Sequence, residues 1–264
     1  MRISIVGTGY VGLVTGACFA ERGHQVICVD VDPAKVNWIN SRKAPIHEVG
    51  LPEMLERTVG KTLSASNDLA GAVAQTDITF IAVGTPAANG KIDLSYVERA
   101  AEEIGAAIAR KSTFHTVVVK STVVPGTTNG IVRRAVERAS GKQAGSGFGL
   151  GMNPEFLTEG TAVADFTHPD RIVVGGVDRR SIDVIRAVYE SFPDTPIILT
   201  NTETAEMIKY ASNSVLATLI SFSNELGRLC TKVGNVDIAD VMNGVHAAGY
   251  FNVKCADGQQ QRAS

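Results

Sequence analysis

The sequence predicts an α/β fold built on a doubly wound, mostly parallel sheet, followed by a long helix and a short helical segment. Three observations carry this. Short apolar runs alternate with helix-patterned stretches as far as residue 200. Most of these runs are apolar throughout, as in strands covered on both faces. Beyond residue 200 the alternation stops, and residues 202–233 contain no proline.

Taken in order, residues 3–6, 25–30, 78–83, 116–119 and 148–152 are strand candidates, rich in Val and Ile and closed by Gly, Asp or Pro. Helical stretches at 11–22, 33–41, 94–110 and 127–139 lie between them. In the third, Val97, Ala100, Ala101, Ile104, Ala107 and Ile108 recur at helical spacing. Such alternation gives parallel strands joined by right-handed crossovers. Two further strands are predicted at 171–175 and 197–200, with a helix at 181–191 between them. Residues 202–233, with Asn201 or Thr202 as N-cap, read as one long helix, and a shorter one at 236–243 precedes Gly244. The expected organisation is an α/β domain over 1–200, a helical segment over 201–244, and a divergent tail over 245–264. The tail's small polar end is predicted to fray.

Composition narrows the function classes. Of 264 residues, 44% are apolar and 20% charged, enough for a sizeable core and unlike a disordered chain. Lys and Arg total 25 against 27 Asp and Glu, so a basic nucleic-acid footprint is not expected. No apolar run reaches the roughly 18 residues a bilayer span needs, so no membrane partner is expected. With residues 2–6 reading as a strand, no cleavable leader is expected. Cys18, Cys28, Cys230 and Cys255 show no CxxC spacing and read as reduced, mostly buried thiols of a cytoplasmic protein. His24, His47, His115, His168 and His246 are scattered without metal-ligand spacing, and there is no G-x-S-x-G elbow.

Gly7-Thr8-Gly9-Tyr10-Val11-Gly12 is a G-x-G-x-x-G directly after a strand and opening a helix, which makes the predicted domain Rossmann-type. Gly7 permits the turn, Gly9 lets backbone approach a pyrophosphate, and Gly12 lets helix and strand pack closely. Tyr10 and Val11 open a helix whose N-terminal N–H groups suit an anion. The second strand closes on Asp30, an acid placed to accept from a ribose diol and to repel a 2′-phosphate, which favours NAD over NADP. Asp32 is a second candidate.

Ligands in open α/β sheets bind beyond the carboxyl ends of the strands, and those ends are polar here. Thr85 can reach a cofactor phosphate. Thr122 and Thr127 follow the next strand; for Thr127 helix capping is the simpler reading, and for Thr122 capping and function are evenly matched. Glu155 follows a proline at a strand tip, where a carboxylate can act as general base or position water, although a solvated loop acid is the default for any single Glu. Glu206, Lys209 and Asn213 share one face of the long helix. Lys209 facing a cleft can stabilise an alkoxide, while spacing alone favours a solvated amphipathic face.

In order, GTGYVG, VDVDPAKV, APIHEVGLPEML, VGTP, KSTVVPGT, MNPEFLTEG, HPDRIVVGG and EMIKYASNS resemble the UDP-glucose/GDP-mannose 6-dehydrogenase family, from Met1 to about Gly244. PDRIVVGG is nearer the UDP-glucose branch, while KSTVVPGT and SGKQAG also resemble the GDP-mannose branch. The resemblance implies NAD-dependent oxidation of a nucleotide sugar's C6 alcohol to a carboxylate. An aldehyde and then a cysteine thioester are the intermediates, and two NAD molecules are consumed. It implies that Thr122 and Glu155 position or activate water and protons, that Lys209 and Asn213 stabilise the C6 oxyanion, and that Glu159 lies near the nicotinamide. Gly7, Gly9, Gly12, Asp30, Lys35, Thr85 and Thr122 would hold NAD. It further implies a homodimer formed through the long helix, with Leu216, Ile220, Leu226 and Leu229 on the buried face.

One departure stands out. The family's nucleophilic cysteine lies in a GGSC-(F/L)-x-K-D segment followed by a second α/β domain, and neither is found. Cys255, in YFNVKCADG, lacks those flanking residues and is not assigned that role. The expectation is therefore a chain truncated relative to the family by early termination, a frameshift or a cloning boundary. It would not complete the four-electron oxidation alone. UDP-glucose is the expected substrate, with GDP-mannose, or NAD binding by a dimer without turnover, as the alternatives. A hydroxyacid-type dehydrogenase is disfavoured by NPEFLTEG.

Overall fold

The computed structural model describes residues 1–88, 90–192 and 194–247. The chain opens with β1 (Arg2–Val6), α1 (Tyr10–Glu21), β2 (Gln25–Val29), two successive helices α2 (Pro33–Asn40) and α3 (Leu51–Thr58), and β3 (Leu63–Ser66). Next come α4 (Leu69–Gln75), β4 (Ile78–Ile81), a two-stranded hairpin of β5 (Ala87–Ala88) and β6 (Lys91–Ile92), and α5 (Ser95–Ala109). β7 (Thr116–Val119) leads through a π-helical turn at Thr128–Val132 into α6 (Arg133–Ser140). β8 (Gly149–Met152), α7 (Ala162–Thr167), β9 (Ile172–Gly176), α8 (Arg179–Ala187) and β10 (Ile197–Thr200) complete the sheet region. α9 (Thr202–Val233) and α10 (Ile238–His246) follow.

The eight sheet strands lie in the order β10-β9-β8-β7-β4-β1-β2-β3. β2 and β3 step away from β1 on one side and β4, β7 and β8 on the other, so the order reverses between β1 and β4. Those six strands are parallel. β9 departs from the crossover rule by running antiparallel to β8, with β10 parallel to β9. The reason is local: α7 is six residues long and packs on α1, so it does not carry the chain back along the sheet. An antiparallel neighbour needs no such crossover.

Apolar clusters cover both faces. One gathers Leu13, Phe19, Leu55, Phe80 and Phe166 beneath α1, α3 and α7. The other gathers Val97, Ile104, Ile108, Val117 and Val136 beneath α5 and α6. Cys18 and Cys28 are buried free thiols, and Cys230 is half-buried. Cys255 and residues 248–264 of the tail lie outside the described residues.

The chain divides into two compact units, Met1–Tyr210 and a second beginning at Ala211. The division falls inside α9, because Thr202, Ala205, Glu206 and Lys209 of its first turns are buried in the first unit. Ala205 is seated on β9 at Gly175, where an added Cβ would come within 2.8 Å of the Ala205 Cβ. In the second unit α9 exposes Val215, Leu216, Ile220, Phe222, Leu229 and Val233. No helix of the described residues is long and apolar enough to cross a membrane.

Candidate active site

The glycine turn is fixed by contacts on every side but one. Gly7 has φ +99°, which L side chains rarely adopt, and a Cβ there would sit 2.6 Å from the Ala82 carbonyl oxygen. A Cβ on Gly12 would sit 1.9 Å from the Gly7 carbonyl oxygen. At Gly9 nothing lies within 4 Å of the corresponding position. No side chain caps the N-terminus of α1. Its first N–H groups and the positive end of its dipole are therefore left without a side-chain cap at the reversal of strand order, an arrangement that suits a pyrophosphate.

Asp30 closes β2 beside this turn. Its Oδ2 accepts from the Thr8 N–H at 2.8 Å and the Thr8 hydroxyl at 2.5 Å, and its Oδ1 accepts from the Asp32 N–H at 3.0 Å. Burial alone would raise the carboxyl's pKa, but these bonds and Lys35, 3.9 Å away, bring it below the ordinary range. Asp30 is thus an ionised acceptor that also braces the turn. The Asp32 side chain is committed elsewhere, capping α2 through the Ala34 N–H.

The strand tips converge. The Thr85 hydroxyl donates to the Thr122 carbonyl at 2.9 Å and the Ser121 hydroxyl to the Val83 carbonyl at 2.6 Å, so the loops after β4 and β7 are tied together. The Thr127 hydroxyl bonds the Val124 carbonyl and does not cap the following helix. Beyond β8, Glu155 Oε1 lies 2.8 Å from Lys209 Nζ, with the side chains 11% and 7% exposed. Glu155 Oε2 accepts from the Leu157 N–H at 2.8 Å. The solvated-face reading of Lys209 and the solvated-acid reading of Glu155 are both overturned: the loop after β8 and helix α9 meet at this pair.

Two further groups join the site, Lys120 from KSTVVPGT and Glu48 from APIHEVGLPEML, neither among the predicted site residues. The Lys120 amine donates to Asn153 Oδ1 at 3.0 Å, where the Tyr189 hydroxyl also donates at 2.5 Å. Burial pulls the Lys120 pKa down to about 8 against the pull of Glu155. Lys120, Asn153 and Glu155 line a cavity of about 190 Å³ shared with Phe166 and Arg171. In the sequence Lys120 is the polar end of a TVVVK run and the first residue of KSTVVPGT. Glu48 is 2% exposed and accepts from the Tyr10 hydroxyl at 2.5 Å and the Gly160 N–H at 2.9 Å. Tyr10 also donates to the Thr158 carbonyl. Glu48 thereby joins the glycine turn to the NPEFLTEG segment, from partners 38 and 112 residues away that no local pattern reveals.

The remaining candidates are more dispersed. Val11 is half-buried against the core. Glu159 is exposed beside Gly160, and Asn213 is exposed in the second unit.

Residues 1–193 match the family model described as "UDP-glucose/GDP-mannose dehydrogenase family, NAD binding domain", and residues 203–257 match the same family's central domain. The chain belongs to the UDP-glucose/GDP-mannose dehydrogenase family. It is 48% identical over 246 residues to GDP-mannose 6-dehydrogenase of Pseudomonas aeruginosa, covering 92% of this chain and 56% of that protein. It is 45% identical over 250 residues to UDP-glucose 6-dehydrogenase of Haloferax volcanii, covering 93% and 58%. A solved ternary complex of GDP-mannose dehydrogenase from P. aeruginosa superposes with a TM-score of 0.91 at 46% identity, covering 94% of this chain and 57% of that one. The chain thus spans less than two thirds of the length of these relatives. Within the dehydrogenase family frame, the glycine turn, Asp30, Thr122 and Glu155 fall in the NAD-binding domain, and Lys209 and Asn213 in the central domain.

Proposed function

We propose that this chain carries the NAD-binding and proton-handling part of a nucleotide-sugar 6-dehydrogenase, with UDP-glucose or GDP-mannose as the sugar nucleotide. The observation that carries this is the buried Glu155–Lys209 pair at the same end of the sheet as an open dinucleotide turn. Residues 7–12 would hold the pyrophosphate and Asp30 the adenosine ribose, with Lys35, Thr85 and Thr122 completing the cradle and Glu159 near the nicotinamide. NAD, when bound, supplies the hydride acceptor.

Oxidation of the C6 alcohol also releases a proton. Glu155, paired with Lys209, would take it directly or through a water held with Thr122. The Lys209 side chain would face the developing oxyanion, the role the family resemblance also gives Asn213. Carrying the aldehyde on to a carboxylate needs a thiol nucleophile, and Cys255 lies outside the described residues. The exposed apolar residues Leu216, Ile220 and Leu229 of α9, with Leu226 half-buried among them, support a homodimer through that helix. Free cysteines and an unremarkable charge balance support a cytoplasmic setting.

Titration calorimetry with NAD, then absorbance of NADH with UDP-glucose or GDP-mannose in separate arms, tests this. NAD binding together with reduction by one sugar nucleotide is expected. A chain that binds neither ligand contradicts it.

A further inference from the structure

Glu206 is fully buried one turn before Lys209 on α9, and it belongs to neither the glycine turn nor the Glu155 pair. Its Oε2 accepts from the Gly126 N–H at 2.6 Å and its Oε1 from the Thr128 N–H at 2.7 Å. These donors stand at the start of the helical run that begins with the π-helical turn, just after the Thr122 loop. Local residues could have served: Thr127 occupies the N-cap position with a hydroxyl, yet it turns that hydroxyl back to Val124. The turn depends instead on a carboxylate 78 to 80 residues away. No basic side chain among the described residues forms an ion pair with Glu206. Its carboxyl meets those N–H groups at the start of the helical run, and they oppose the rise in pKa that burial imposes.

The Thr122 loop is therefore anchored at both ends. Ser121 and the Thr122 carbonyl are tied to the loop after β4. Gly126 and Thr128 are tied to α9. Glu206 and Lys209 are three apart on one helix and lie on one face. The first turns of α9 thus grip two neighbouring strand-tip loops at once, one carrying Thr122 and one carrying Glu155.

We propose that Glu206 is a positioning residue that sets the Thr122 loop in register with Lys209 and Glu155 for binding of the dinucleotide. This rests on the reading above that Thr122 faces NAD. The Glu206→Gln variant keeps the size but opposes an amide NH2 to one of the two N–H donors, leaving a buried donor unpaired.

The test compares NAD affinity by calorimetry and amide hydrogen exchange in the full chain and in Glu206→Gln. In the variant, NAD binding is expected to weaken by about tenfold, the equivalent of one unpaired buried donor. Exchange should rise at Gly126 and Thr128 while the amides of residues 7–12 stay as in the parent. A purely structural cap would lower the melting temperature and leave the affinity of the folded protein unchanged, and that result overturns the proposal. Should the variant fail to fold, the unmodified chain decides. NAD is then expected to slow exchange at Gly126 and Thr128, and protection confined to residues 7–12 overturns the proposal. Failure of the unmodified chain to bind NAD overturns the parent reading and this one with it. Binding that is insensitive to Glu206 overturns this one alone.

Discussion

Glu155 and Lys209, 54 positions apart in the chain, meet as a 2.8 Å ion pair with about nine tenths of each side chain out of solvent. Removing one partner strands a buried charge. Lys209→Met or Glu155→Gln alone is expected to cost about 3 kcal/mol of stability. The double variant should cost less than the sum of the two, because neither charge is then left alone. Urea melts of the four proteins give the coupling directly, and strict additivity would show that the two groups do not interact in solution.

The glycines separate folding from binding. An alanine at Gly9 meets no protein atom within 4 Å, whereas one at Gly12 meets the Gly7 carbonyl at 1.9 Å. Gly9→Ala is expected to keep its melting temperature and lose at least about tenfold in NAD affinity, roughly 1.4 kcal/mol. Gly12→Ala should lose both stability and binding. Equal NAD affinity in Gly9→Ala and the parent would mean that no ligand approaches that backbone.

Asp30 links the turn to cofactor choice. Asp30→Ala removes the acceptor for both Thr8 donors as well as the charge that opposes a 2′-phosphate. NAD affinity is expected to fall and the preference for NAD over NADP to shrink, both read by fluorescence titration. An unchanged NAD-to-NADP ratio counts against a ribose contact at this residue.

How far the sequence discloses this architecture depends on the range of each interaction. β1, the glycine turn and Asp30 announce themselves within thirty residues, because strand, turn, helix and acid follow one another along the chain. β3 (LSAS), α4 and α7 leave no comparable trace, being short and only partly apolar. The antiparallel sense of β9 is hidden as well, since a strand's direction is set by how the chain returns and its own residues do not encode it. Spacing alone shows Glu155 and Lys209 as polar residues at a tip and on a helix face, and the family resemblance gives each a role without joining them. Their pairing depends on where α9 begins, a tertiary fact. The partners of Glu48 and Glu206 are still more remote.

Acid sensitivity should trace to His115. Burial, reinforced by the Lys111 charge, pushes its pKa down to about 3. It stays neutral in the fold while the unfolded chain takes up a proton near pH 6.5. Between pH 6.5 and about 3 the unfolded state binds more protons, so stability falls as pH falls, by up to about 1.4 kcal/mol per pH unit from this group. Urea midpoints at pH 7 and pH 5 are expected to show the loss, and His115→Gln to flatten it. An equal slope in that variant would place the sensitivity elsewhere.

Association through α9 is open to sedimentation. A dimer at micromolar concentration is expected, and Ile220→Lys, at a residue 54% exposed in the single chain, should dissociate it. A clean monomer for the parent chain would count against the helix as an interface.

The most direct measurement is a crystal structure with NAD soaked or co-crystallised. Continuous density is expected from the open side of Gly9, along the N-terminus of α1, to the Asp30 carboxylate, with the nicotinamide directed toward Thr122 and Glu155. A crevice that stays empty at saturating NAD, or that is filled by the protein's own side chains, would contradict the dinucleotide reading on which the rest depends.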